Sequence, residues 1–150
     1  DPFAVLLADD FLTDYEPGVT ADLVHAYAKK GKSQLSVMEV DGADLSRYGV
    51  VAPNASGTGI VGLIEKPDQS VAPSNLASIG RYVLTPDIFE TLRGLRAGSG
   101  GEIQLADAIN IQAQKGLVET VTLNGQRFDC GSVEGFMKAS NHEYERRFAR

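Results

Sequence analysis

Phe3 to Leu7 is an unbroken apolar run, the pattern of a strand buried on both faces, and it gives way at once to Ala8-Asp9-Asp10. Apolar positions then shift to helical spacing. Thr20-Ala21-Asp22-Leu23 opens a segment with Leu23, Ala26 and Tyr27 on one face, closed by Gly31, a natural left-handed cap. Ser33 to Val40 predicts a second strand. Gly49 to Ala52 and Gly59 to Lys66 flank the turn-rich Pro53-Asn54-Ala55-Ser56-Gly57-Thr58 and predict a β-hairpin. Ala77 to Leu84 predicts a further strand. At Thr85-Pro86-Asp87 a helix is expected to start, with threonine as cap, proline at the first helical position, and Ile88, Leu92 and Leu95 facing inward. Gly98-Ser99-Gly100-Gly101 predicts a loop. Beyond it a helix is expected over Glu102 to Lys115, acidic at its start, basic at its end and stopped by Gly116. Val118 to Leu123 predicts a strand, with a short extended piece at Arg127-Phe128. Ser132 is expected to cap a final amphipathic helix through Val133, Phe136, Met137, Ser140 and Tyr144.

The opening strand, helix, strand order predicts a right-handed crossover. The expected fold is therefore α/β, with a mixed, mainly parallel sheet and an inserted β-hairpin. The chain's 150 residues suit one domain that buries about 70% of its unfolded surface. Asp1-Pro2 followed so soon by an apolar strand looks like the start of a piece of a larger α/β protein. A single cysteine, Cys130, excludes an internal disulfide framework and a multi-cysteine metal site. It fits a reducing compartment, so cytoplasm is the expectation. No apolar run reaches the roughly 20 residues of a membrane span, and no membrane partner is expected. A net charge of −6 and a pI near 4.8 argue against nucleic acid as a partner, while leaving room for a local phosphate pocket.

Two constellations carry candidate chemistry. Glu65-Lys66 is an acid beside a base at a strand exit closed by Pro67. The carboxylate accepts hydrogen bonds from sugar hydroxyls and the ammonium offers a compact positive charge to a phosphate. Successive strand side chains point to opposite faces, so both reach one ligand only where the strand bends or ends. Pro67 is expected to end the strand and to bias Lys66 to an extended conformation. The plainer alternative is a solvated surface pair. Asp9 and Asp129 each follow an apolar strand-like segment, and open α/β sheets place ligands beyond the carboxyl ends of their strands. Two such carboxylates can share one Mg²⁺, its octahedral shell completed by phosphate oxygens and water. Their alternative is local: Asp9 and Asp10 capping a turn, Asp129 starting the last helix. His25 and His142 lack matching metal-type ligands and are expected to pack or to face solvent. Cys130 is expected to be a small buried side chain, and neither a Walker loop nor a Gly-x-Gly-x-x-Gly fingerprint is present.

In order along the chain, Phe3-Ala4-Val5-Leu6-Leu7-Ala8-Asp9, Tyr48-Gly49-Val50-Val51, Ile64-Glu65-Lys66-Pro67, Ala72-Pro73-Ser74-Asn75-Leu76-Ala77 with Gly80-Arg81-Tyr82, Gly101 to Ile109, and Asp129-Cys130-Gly131 resemble the bacterial UTP-glucose-1-phosphate uridylyltransferases of the sugar-nucleotide transferase family. The resemblance covers nearly the whole chain and is to the carboxyl-terminal half of those enzymes. It implies a Rossmann-like nucleotidyltransferase fold, with the nucleotide-binding half absent. Asp9 and Asp129 are implied as Mg²⁺ ligands, Glu65 as the ligand of glucose hydroxyls, and Lys66 as the catalytic contact to the sugar phosphate. Gly49 and Gly80 are implied on the substrate side, Gly49 letting the backbone approach the sugar. The implied reaction converts UTP and glucose-1-phosphate to UDP-glucose and pyrophosphate, and the full-length enzyme is implied to be a homo-oligomer. Ala8 departs from the glycine usual before the metal aspartate. The family's glycine-rich nucleotide loop has no counterpart here, so the 150-residue chain alone is expected to be inactive. The competing expectations are a thymidylyl or cytidylyl relative, a noncatalytic regulatory paralogue, and an interaction domain whose charged pairs are only solvated.

Overall fold

The computed structural model describes residues 1–97 and 101–148. Its elements are β1 (Phe3–Leu6), β2 (Asp10–Thr13), α1 (Val19–Lys30), β3 (Ser33–Glu39), β4 (Gly49–Pro53), β5 (Ile60–Glu65), β6 (Leu76–Leu84), α2 (Ile88–Gly94), α3 (Leu105–Gln114), β7 (Val118–Thr122), β8 (Gln126–Asp129) and α4 (Val133–Phe148). Short 3-10 turns lie at Gly42–Arg47 and Gln69–Val71. The main sheet runs β5-β4-β6-β3-β7, with β1 also paired to β6, while β2 and β8 form a separate two-stranded ribbon.

The sheet is mixed, but it is mostly antiparallel, and β3 with β7 is the one parallel pair among the described residues. This corrects the expectation of a mainly parallel sheet. The reason is β6. Both β1 and β3 run antiparallel to it, so they share a direction, as the crossover required, but β6 lies between them. Periodicity identifies a strand without naming its neighbour. The hairpin is present as expected, with Gly49 opposite Glu65 across the β4–β5 ladder.

β6 is the organising strand. One edge pairs along β3; the other is shared, with Ala77 and Ser78 taken by β4 and Arg81 to Leu84 by β1. The seam falls at Ile79-Gly80. The core packs Leu35 and Val37 of β3, Val51, Ile60 and Leu63 of the hairpin and Leu84 of β6 against Ile88, Ala108, Ile109 and Ala113 of α2 and α3. A buried polar chain crosses it, in which the Ser33 hydroxyl bonds Gln112 Oε1 and Gln112 Nε2 donates to Asp87. α1 packs its buried Val19 and Leu23 against the strand side formed with β3 and β6. Gly31 closes α1 in a left-handed conformation (φ 66°), its N–H bonded to Tyr27 O, as the sequence predicts.

Three local expectations are corrected. α2 begins at Ile88 and no side chain caps it; the Thr85 hydroxyl lies instead against Ser33 Oγ. α3 begins at Leu105, three residues later than the acidic signal at Glu102 suggested. Ser132 does cap α4, accepting from Gly135 N at 3.0 Å, but Val133, Phe136, Met137 and Tyr144 face solvent in this chain. It is Ala139 that α4 buries, with His142 and Glu143 partly covered beside it. The expected loop at Gly98 to Gly100 lies outside the described residues. No described helix is long and apolar enough to cross a membrane.

Candidate active site

β1 ends where β6 changes partners, and the chain turns through Asp9 into β2. That turn, the ribbon end at Asp129, the hairpin ends at Gly49 and Glu65 and the first turn of α3 enclose a cavity of about 380 Å³. Asp9, Gly49, Glu65, Lys66, Gly80 and Asp129 all line it. Residues up to 120 positions apart in sequence thus meet in one cleft.

The two aspartates are close neighbours. Cys130 N donates to Asp9 O at 2.7 Å, and Asp10 stands opposite Asp129 in the β2–β8 register. Asp9 Oδ2 and Asp129 Oδ1 each lie 3.1 Å from the point a Cβ on Gly131 would occupy, so they are separated by at most twice that distance across a space that glycine keeps open. This donor pair fits a hard divalent cation, which commonly takes one or two carboxylates and completes its shell with substrate phosphates. Among the described residues no cluster of three His, Cys, Asp or Glu side chains able to hold a metal exists. Asp129 Oδ1 also accepts from Gly131 N, and its Oδ2 is paired with Arg47 at 3.1 Å.

The hairpin supplies the other wall. Lys66 N donates to Tyr48 O at 2.9 Å, continuing the β4–β5 ladder one residue beyond Glu65. Lys66 itself has φ 46°, a left-handed conformation that corrects the expectation of an extended residue before Pro67. This bend turns Lys66 out of strand alternation, so that it and Glu65 both border the cavity. A non-glycine residue held in this region costs about 1–2 kcal/mol and is found where the surrounding structure fixes it, often at functional sites. Gly49 leaves room for its cross-strand partner, since a Cβ there would lie 3.0 Å from Glu65 Oε2. Gly80 is glycine for the same kind of reason. A Cβ would fall 2.6 Å from both Asp10 Oδ2 and Leu7 Cβ, so its closest neighbours are protein atoms.

The lining residues that escaped the sequence reading as site residues include Asp10, Arg47, Tyr48 and Arg127. Asp10 and Arg127 form an ion pair with side chains only 5% and 11% exposed. Arg127 Nη1 also donates to Tyr48 Oη, and its guanidinium lies 5.0 Å from the centre of the Tyr48 ring. Burial works against the Arg127 charge, but Asp10, Tyr48 and Asp129 together outweigh it and raise the pKa above the ordinary arginine value. Burial also pushes the Tyr82 phenol up, against the Ser78 hydrogen bond, which keeps the hydroxyl protonated. With Asp10 matched by Arg127 and Asp129 by Arg47, Asp9, Glu65 and Lys66 have no ion-pair partner among the described residues. A signal for Arg127 was present: it stands two residues before Asp129, and alternate strand positions share a face. Cys130 is partly buried and unpaired.

The mixed α/β sheet brings carboxylates and a lysine together at a strand-partner switch, and the chain matches the nucleotidyl transferase family over residues 1–146. It belongs to that family. A UTP-glucose-1-phosphate uridylyltransferase of Pseudomonas aeruginosa is 46% identical over 149 residues, covering 97% of this chain and 53% of the relative. Another, from Staphylococcus saprophyticus, is 44% identical over 143 residues, covering 93% of this chain and 49% of the relative. A UDP-glucose pyrophosphorylase solved with UDP-glucose superposes with a TM-score of 0.90 at 43% identity, covering 97% of this chain and 57% of that one. The Acinetobacter baumannii UDP-glucose pyrophosphorylase gives 0.83 at 34% identity, covering 99% and 52%. A Bacillus anthracis glucose-1-phosphate thymidylyltransferase, at 22% identity and a TM-score of 0.77, shares the fold. The chain spans about half the length of the curated relatives it matches. These shares measure length, and the expectation of a carboxyl-terminal half gains no support from them.

Proposed function

We propose that this chain supplies the sugar-phosphate side and the metal carboxylates of a UTP-glucose-1-phosphate uridylyltransferase. The observation that carries the reading is the convergence of Asp9, Glu65, Lys66 and Asp129 on one cavity, together with relatives of 43–46% identity that bear this name. In the proposed reaction a phosphate oxygen of glucose-1-phosphate attacks the α-phosphorus of UTP. One phosphorus–oxygen bond forms, the bond to the β-phosphate breaks, and pyrophosphate leaves. Such a transfer asks the protein for alignment and charge neutralisation, and for no covalent nucleophile. Lys66 holds the sugar phosphate by its ammonium. Glu65 accepts hydrogen bonds from glucose hydroxyls, and the open backbone at Gly49 gives its carboxylate the room to do so. Asp9 and Asp129 would hold Mg²⁺, which when bound neutralises phosphate charge.

The nucleotide's phosphates need a binding element that these 150 residues lack, and the uncovered half of the relatives' length is where we place it. The test is a coupled assay on the full-length protein with Mg²⁺, UTP and glucose-1-phosphate. Formation of UDP-glucose and pyrophosphate is expected. Product from dTTP or CTP and none from UTP would overturn the uridylyl assignment, and no product from any nucleotide would overturn the catalytic one. The purified 150-residue chain should give no turnover above background, and robust activity from it would show that no further element is needed.

A further inference from the structure

The Asp10–Arg127 pair is the most deeply buried charge pair among the described residues, and the proposed reaction leaves it without a role. Its surroundings are specific. Asp10 is the neighbour of Asp9, and Arg127 stands two residues before Asp129 on the same face of β8. Asp10 Oδ1 accepts from Arg127 Nε at 2.5 Å, while Oδ2 accepts from Gly80 N at 2.6 Å at the seam of β6. Arg127 Nη1 reaches Tyr48 Oη at 2.9 Å, next to Gly49. Arg81 adds a bond from Nη2 to Asp10 O at 2.8 Å. One buried salt link therefore ties together the chain positions flanking both metal carboxylates, the middle of β6 and the start of the hairpin.

A purely stabilising role does not account for this arrangement. Replacing a buried ion pair by apolar groups of similar volume is often neutral or stabilising, so burial alone is weak evidence that this pair serves stability. We infer that Asp10 and Arg127 are positioning residues, which set the separation and orientation of Asp9 and Asp129 for a divalent cation and fix Tyr48-Gly49 beside them. The inference rests on the metal reading proposed above. Outer partners of ligating carboxylates typically change metal affinity 10–100-fold when removed.

The experiment titrates Mn²⁺, as a paramagnetic probe for the proposed Mg²⁺ site, into the full-length protein and follows free Mn²⁺ by electron paramagnetic resonance. Wild type, Asp9→Asn, the double variant Asp10→Asn with Arg127→Met, and Arg127→Lys are compared, each with its thermal unfolding curve. In the double variant the new amide at position 10 keeps an oxygen for Gly80 N, and the thioether at position 127 leaves no orphaned charge. The double variant should unfold cooperatively near the wild-type temperature and bind Mn²⁺ at least tenfold more weakly. Arg127→Lys, which keeps the charge and loses the fork, should fall between. Mn²⁺ affinity within twofold of wild type in the double variant overturns the inference. If the double variant does not fold, unchanged affinity in Arg127→Lys overturns it. Binding that is the same in wild type and Asp9→Asn defeats the metal reading first, a result distinct from failure of the positioning role alone.

Discussion

Lys66 combines a strained backbone with an unpaired charge, and the two can be separated by substitution. Lys66→Gly removes the left-handed penalty of about 1–2 kcal/mol, offset by the extra chain entropy of glycine of about 0.5–1 kcal/mol. The folded state of this variant should be as stable as wild type or more stable by up to about 1 kcal/mol, measured by urea unfolding. Turnover of the full-length variant should nevertheless drop about 100-fold or more, the usual cost of losing a preorganised charge at a phosphoryl group. A clear loss of stability would mean that the conformation is not strained, and unchanged kinetics would remove the ammonium from the mechanism. Individual residues were readable from sequence where chemistry and strand endings coincided, as at Asp9, Glu65-Lys66 and Asp129. Arg47 and Tyr48 were not, because their importance lies in partners 82 and 79 positions away that no local pattern encodes.

The last helix is anchored by side chains more than by a large apolar face. Glu143 accepts from Thr13 Oγ1 on β2 and from both Arg146 and Arg147. Arg146, aided by Thr13 and Arg147, holds its carboxyl far below the usual range, at about 2. Because the folded-state pKa is depressed, this contribution is fully present above the ordinary glutamate pKa of about 4.3 and is lost as pH falls towards 2. Glu143→Gln should therefore lower the unfolding temperature at neutral pH, and the gap from wild type should close between about pH 4.5 and 2. A gap that stays constant across that window would show that the carboxylate charge plays no part. The amphipathic pattern of α4 was legible, yet Val133, Phe136, Met137 and Tyr144 of its apolar stripe are exposed in this chain. Periodicity reports that a face is apolar, and it does not report which structure covers it.

Across the whole molecule, the core depends on β6, the strand that pairs with β1, β3 and β4. Leu84, fully buried in β6, touches the layer formed by α2 and α3, so Leu84→Ala should cost about 2–5 kcal/mol in chemical denaturation. A cost under about 1 kcal/mol would mean that the layers close over the cavity. Elements were legible in the sequence because hydrophobic period and turn residues are local. Sheet order was not, because β6 enters between β1 and β3 after more than 30 intervening residues, and nothing in those strands announces it.

The seam in β6 divides the pocket into two mountings. The hairpin bearing Glu65 and Lys66 hangs from Ala77 and Ser78, while the segment leading to Asp9 hangs from Arg81 to Leu84. The two halves of the pocket thus sit on separate mountings of one beam, bridged by Asp10, which accepts from Gly80 N and pairs with Arg127. On the proposed reading, a change in the hairpin alters the sugar side of the pocket while Asp9 and Asp129 keep their setting.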